Sequence, residues 1–190
     1  MRIKEAIEES IELKKSILYD SILIAQIRQV ADAIVSSLRA GGKVFFCGNG
    51  GSAADAQHLA AELSGRFYFD RPPLAAEALH CNTSYITAIG NDYGFEHIYA
   101  RLIKGNGKRG DLLIGLSTSG RSISIVKAFE TAHKMDIKTI ALTGESGGEL
   151  LAHSDIALRI PSTDTPRIQE AHILIGHIIC ELVETEMFMD

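Results

Sequence analysis

Along the first forty residues, apolar side chains recur at helical spacing: Ile3, Ile7, Ile11 and Leu18, then Leu23, Ile27, Val30, Ile34 and Leu38. No glycine or proline interrupts them, and Asp20 stands between the two sets as a candidate N-cap. The pattern predicts two helices. The second also carries Ile22, Ile24, Ala31 and Val35, so its apolar face is wide. Such a face either covers two sides, one of them in a neighbouring subunit, or only its own domain's core.

Gly41-Gly42 closes this stretch. Beyond it, short apolar runs alternate with helical patterns. Strands are predicted over 43–47, 74–78, 111–116, 138–142 and 156–160, and helices over 52–64, 122–134 and 166–187, with Pro166 in the first turn of the last. Another helical run, Tyr85–Ile89, is stopped by Asn91, Asp92 and Gly94. This alternation predicts an α/β fold, a three-layer αβα sandwich with a central parallel sheet covered on both faces. A single domain over 1–190 is expected, with 1–40 as a helical oligomerisation arm. Ligands of such sheets bind beyond the carboxyl ends of the strands, which selects the loops at 48–52, 79–94 and 117–122.

Composition narrows the partners. With 46% hydrophobic and 23% charged residues and a net charge of -5, the chain reads as an ordinary soluble globular protein. It has no dense basic run to bind nucleic acid; the three basic residues of 104–109 read as a solvated loop. No run of about 18 apolar residues predicts a membrane span, and the N-terminus has no hydrophobic core of a secretory signal. Cys47, Cys81 and Cys180 are odd in number and form no CxxC pair. Reduced thiols and a cytoplasmic location are expected.

Two of the selected loops are built for anions. Gly48-Asn49-Gly50-Gly51-Ser52 joins a strand to a helix, where free amides and the helix dipole favour negative charge. Read loosely, Gly48, Gly50 and Ala53 also match a dinucleotide pattern, with Glu77 as the acidic partner. Ser117-Thr118-Ser119-Gly120-Arg121-Ser122 again leads into a helix, and its four hydroxyls exceed what a helix cap needs. There is no GxxxxGK[ST] sequence and no GxSxG around Ser117, so a P-loop and a nucleophile elbow are excluded. Two such loops in one small domain favour a sugar phosphate over a dinucleotide.

His58 and Glu62 share one helix face at i, i+4, a spacing that suits a metal or an acid–base pair as well as a surface hydrogen bond. The last helix carries Gln169, Glu170, His172 and His177. Gln169 and His177 lie roughly 80° apart and about 12 Å along the axis. They converge only through extended side chains or by serving a site from different subunits. His80, His97, His133 and His153 show no partner pattern and read as structural. Asn91 and Asp92 are candidates for holding sugar hydroxyls.

In order along the chain, CGNGGS at 47–52, His58 with Glu62, GND at 90–92, GLSTSG at 115–120 with Ser122, LTG at 142–144, and RIQE at 167–170 followed by His177 resemble the bacterial phosphoheptose isomerase family of SIS-domain proteins. The resemblance implies a flavodoxin-like SIS fold and a cytoplasmic homotetramer with active sites between subunits. It implies one Zn²⁺ per subunit on His58, Glu62, Gln169 and His177. Substrate contacts are implied at Asn49, Gly50, Gly51, Ser52, Glu62, Asn91, Asp92, Ser117, Thr118, Ser119, Ser122 and Gln169, with Glu62 as catalytic base and His177 as catalytic acid. Pro166 departs from members that place an acidic residue there. The implied reaction converts sedoheptulose 7-phosphate to D-glycero-D-manno-heptose 7-phosphate, for lipopolysaccharide core or capsule. The alternatives are a non-catalytic relative that binds a replication initiator or senses a sugar phosphate, and an isomerase of arabinose 5-phosphate. No nucleic acid or membrane partner is expected.

Overall fold

The computed structural model describes residues 2–189. Two helices open the chain, α1 (Arg2–Tyr19) and α2 (Ser21–Arg39). The carboxylate of Asp20 accepts from the amides of Ile22 and Leu23 at 3.0 and 2.9 Å, capping α2 as its position predicts. Then follow β1 (Val44–Gly48), α3 (Gly51–Ser64), β2 (Ala76–Ala78), α4 (Thr83–Asp92), α5 (Ile98–Asn106), β3 (Leu112–Ser117), α6 (Ile123–His133), β4 (Lys138–Thr143), β5 (Ile156–Arg159) and α7 (Thr165–Phe188).

The five strands form one parallel sheet in the order β2-β1-β3-β4-β5. Alternate strand residues feed two cores. Phe46, Ile114 and Leu142 pack with α2, α3 and α7, while Phe45, Leu113 and Ala141 pack with α5 and α6. This is the three-layer sandwich that the alternating pattern predicts.

Two departures have local causes. β2 is three residues long, where 74–78 was expected, because the Leu74 amide donates to the Leu63 carbonyl at 3.1 Å and so leaves the ladder. α5 was not anticipated, and it takes Lys104, Gly105 and Asn106 out of the expected loop; burial of Ile98, Tyr99, Leu102 and Ile103 holds it despite its glycine. α2 belongs to its own domain's core, with Leu23, Ile27, Val30 and Ile34 buried, so only part of the 1–40 stretch stands outside the core. In α1 the single buried residue is Ile17, and Ile3, Ile7, Ile11 and Leu18 are exposed. Finally, α2 is long and apolar enough by composition to cross a membrane. Its inner face is instead packed against the sheet and α7.

The segment between α3 and β2 is fixed by a buried ion pair. Arg71 Nε donates to Glu184 Oε1 of α7 at 2.8 Å, and both side chains are almost wholly buried. The Glu184 carboxylate also accepts from the amides of Phe67, Tyr68 and Phe69 at 2.6–3.2 Å. The Arg71 guanidinium also donates to the carbonyls of Glu62, Leu63, Gly65 and Pro72. A buried pair is tolerated when its remaining donors and acceptors are satisfied in this way. Burial alone would raise the Glu184 carboxyl; the Phe67 and Tyr68 amides, Arg71 and the Phe69 amide outweigh it and hold it below its ordinary value of 4.5.

A group depressed in the folded state contributes stability above its unfolded pKa and loses it as pH falls through the folded one. Glu184 therefore supports the fold at neutral pH and gives up that support as pH falls below 4.5. Replacing Glu184 with Gln leaves Arg71 buried without its counter-charge. Urea titration at pH 7 is expected to show a loss of about 3–5 kcal/mol. The gap between the two proteins is expected to narrow in acid.

Candidate functional site

Reversal of the winding direction about β1 and β3 opens a crevice at their carboxyl ends. Both anion-friendly loops leave the sheet there. The first turns from β1 into α3 through Gly50, whose φ of +57° is left-handed and suits glycine. The second follows β3, where Ser117 Oγ and Ser122 Oγ lie 3.0 Å apart. Ser119 Oγ accepts from the Arg121 amide at 3.2 Å, and the Thr118 carbonyl from the Gly144 amide at 2.9 Å. A side-chain bond ties the first loop to the start of α6, just after the second loop: Asn49 Nδ2 donates to Ser124 Oγ at 3.1 Å. Asn49 Oδ1 is buried and unpartnered, an acceptor aligned with neither loop's own needs. Ser52 is buried in the first turn of α3.

α3 and α7 run side by side in the same direction. Gly51 and Asp55 lie against Gln169, and His58 and Glu62 lie against His177. Between them Leu59 packs directly on Gly176, where an added Cβ would stand 2.6 Å from its methyl carbons. A Cβ on Gly51 would meet Gln169 Nε2 at 2.2 Å, so glycine there makes room for the glutamine. This parallel packing resolves the spacing of Gln169 and His177 within one chain. They lie two turns apart along α7 and meet successive turns of the same α3 face.

His58 Nε2 and His177 Nε2 are 2.8 Å apart, and Glu62 Oε1 is 3.2 Å from His58 Nε2. One ligand atom from each of the three residues lies within 4.8 Å of the others. Phe67 packs beside the His177 ring, with centroids 5.8 Å apart. Two imidazole nitrogens and a carboxylate oxygen converging on one point suit a divalent zinc-like ion that keeps an open coordination position. His58, Glu62 and His177 therefore fit the implied metal. Gln169 lies farther toward the N-terminus of α7, beside Asp55.

Asp55 belongs to this face and was missed by the sequence reading. Its signal was the series Gly51, Asp55, His58, Glu62, which keeps helical spacing throughout. Burial raises its carboxyl, a hydrogen bond with Gln169 and the proximity of His58 and His177 oppose the rise, and its Oδ2 is buried without a partner. The other expected residues divide. Asn91 and Asp92 occupy the last turn of α4 and are exposed. Asn91 Nδ2 donates to Asp92 Oδ1 at 2.9 Å, and neither bonds to the loops or to the α3–α7 cluster among the described residues. Glu77, the acidic partner of a dinucleotide reading, pairs with Lys43 Nζ at 3.1 Å instead.

The SIS domain family model matches residues 8–144. The phosphoheptose isomerase of Sulfurimonas denitrificans is 52% identical over 188 residues, 99% of this chain and 96% of that one. That of Aneurinibacillus thermoaerophilus is 50% identical over 186 residues, 98% and 94% of the two chains. The solved structure of a phosphoheptose isomerase from Francisella tularensis superimposes with a TM-score of 0.93 at 43% identity, covering 97% of each chain. The chain therefore belongs to the phosphoheptose isomerase family of SIS-domain proteins.

Proposed function

We propose that the protein is an aldose–ketose isomerase that converts sedoheptulose 7-phosphate to D-glycero-D-manno-heptose 7-phosphate in the cytoplasm, supplying heptose for lipopolysaccharide core or capsule. The observation that carries the reading is the convergence of His58, Glu62 and His177 beside two phosphate-suited loops, in a chain about half identical to phosphoheptose isomerases.

The reaction moves one proton between neighbouring carbons through an enediol and another between the two oxygens. Glu62 takes the proton from C1 and returns it to C2. His177 serves the oxygens, since an imidazole can both give and take a proton. Asn49, Gly50, Gly51 and Ser52 line the first loop, and Ser117, Thr118, Ser119 and Ser122 cradle the phosphate in the second, so that binding energy remote from the reacting carbons fixes their position. The unpartnered oxygen of Asn49 is an acceptor for a substrate hydroxyl. Gln169, held between Gly51 and Asp55, presents its amide to the same polyol.

His58, Glu62, Gln169 and His177 would hold one Zn²⁺ per subunit, which as a Lewis acid polarises the substrate oxygens. Asn91 and Asp92, paired with each other in the single chain, serve sugar hydroxyls at a site completed by a neighbouring subunit. The exposed Ile3, Ile7, Ile11 and Leu18 of α1 support assembly as a homotetramer.

Three outcomes are expected. Purified protein forms the aldose from sedoheptulose 7-phosphate, loses that turnover on chelation and regains it with Zn²⁺; no turnover from a folded, Zn²⁺-loaded protein would favour a binding role. Replacing Glu62 with Gln lowers kcat by about 10²–10⁴-fold, the usual worth of a positioned acid–base group, and near-normal turnover would remove Glu62 as the base. Placing Ala at Gly51 displaces Gln169. A rise in KM is expected there with the fold kept by circular dichroism, whereas unchanged kinetics would free Gln169 from substrate binding.

A further inference from the structure

His172 is fully buried on α7 between Gln169 and His177 and takes no part in the chemistry above. Its Nε2 lies 3.2 Å from the carbonyl oxygen of Thr143, the last residue of β4. A carbonyl can only accept, so Nε2 carries the proton. Nδ1 has no partner and carries the lone pair. A second proton there would find no acceptor, and burial pushes the ring down to about 4 despite the Thr143 carbonyl. The ring is a fixed neutral donor at neutral pH.

The next peptide continues the connection. The Gly144 amide donates to the Thr118 carbonyl at 2.9 Å, in the middle of the hydroxyl loop. Gly144 is also closely enclosed: an added Cβ would stand 2.7 Å from the Thr118 carbonyl oxygen and 2.8 Å from Ile168 Cδ1 of α7. Two hydrogen bonds in series, about one Thr143–Gly144 peptide, thus tie α7 to the loop.

We propose that His172 is a positioning residue that sets the distance between the hydroxyl loop and the α7 groups Gln169 and His177, so that a phosphosugar is held at both ends at once. The inference rests on the isomerase reading for the identity of the ligand. A displacement of about 1 Å between such ends costs on the order of 10²-fold in rate, and a ligand that touches one end alone is indifferent to it.

The experiment compares wild type, His172→Leu, which removes the donor, and His172→Gln, which restores an N–H near the same place. Calorimetry on the full Zn²⁺-supplemented chain measures inorganic phosphate, which needs only the loop, and sedoheptulose 7-phosphate, which spans both ends. His172→Leu is expected to keep phosphate affinity within about threefold, to weaken the sugar phosphate about tenfold or more, and to lower kcat by about 10–10²-fold. His172→Gln is expected to stay within about threefold of wild type on every measure. If the leucine variant does not fold, His172→Phe carries the same comparison. Equal weakening of both ligands, no weakening of either, or failure of glutamine to restore the sugar phosphate would overturn the proposal. A wild type that binds the sugar phosphate without turnover would sink the isomerase reading alone, and the two affinities would still decide the role of His172.

Discussion

The contact between α3 and α7 is what the chemistry hangs from. Gly176 lets the two helices approach until Leu59 rests on backbone, and only at that separation do His58 and His177 meet. Farther along, the Arg71–Glu184 pair fixes the chain that leaves α3, and the same pair places Phe67 beside the His177 ring. A hydrophobic seam and a buried charge pair therefore hold one geometry from two sides. The first sets the spacing, and the second prevents the connecting segment from drifting over the cluster.

The sheet supplies the other half of the arrangement. With all five strands parallel, the strand-to-helix loops leave the sheet at the same end, and the order β2-β1-β3-β4-β5 brings the loops after β1 and β3 together. Asn49 bonding to Ser124 fastens the first loop to the start of α6, the helix into which the second loop leads. In the proposed isomerase, helix starts, hydroxyls and glycine amides act on the same ligand, which a single loop would hold less firmly.

Much of this was legible in the sequence because it depends on local spacing. The alternation of apolar runs carried the layer order, GNGGS and STSGRS carried the loops, and His58 with Glu62 carried one face of a helix. What the sequence hid depends on neighbours. The angle between Gln169 and His177 follows from one helix, but the direction of the helix packed against it does not. Asp55 stayed unnoticed because its partner lies in α7, more than a hundred residues away. α5 was lost to its glycine, although burial outweighs the cost there. β2 shortened because one amide was claimed by α3, a competition no strand propensity records.

That diverted Leu74 amide bears on association as well. It leaves an outer strand of three residues at one side of the sheet, and β5 ends the other side after four. Unpaired strand edges are templates on which other chains add, and short ones offer few amides to copy. Lys43 and Glu77 place charge beside the shorter edge. The sheet is thus poorly suited to growth by strand addition, and copies of this chain have helix surfaces, not sheet edges, through which to meet.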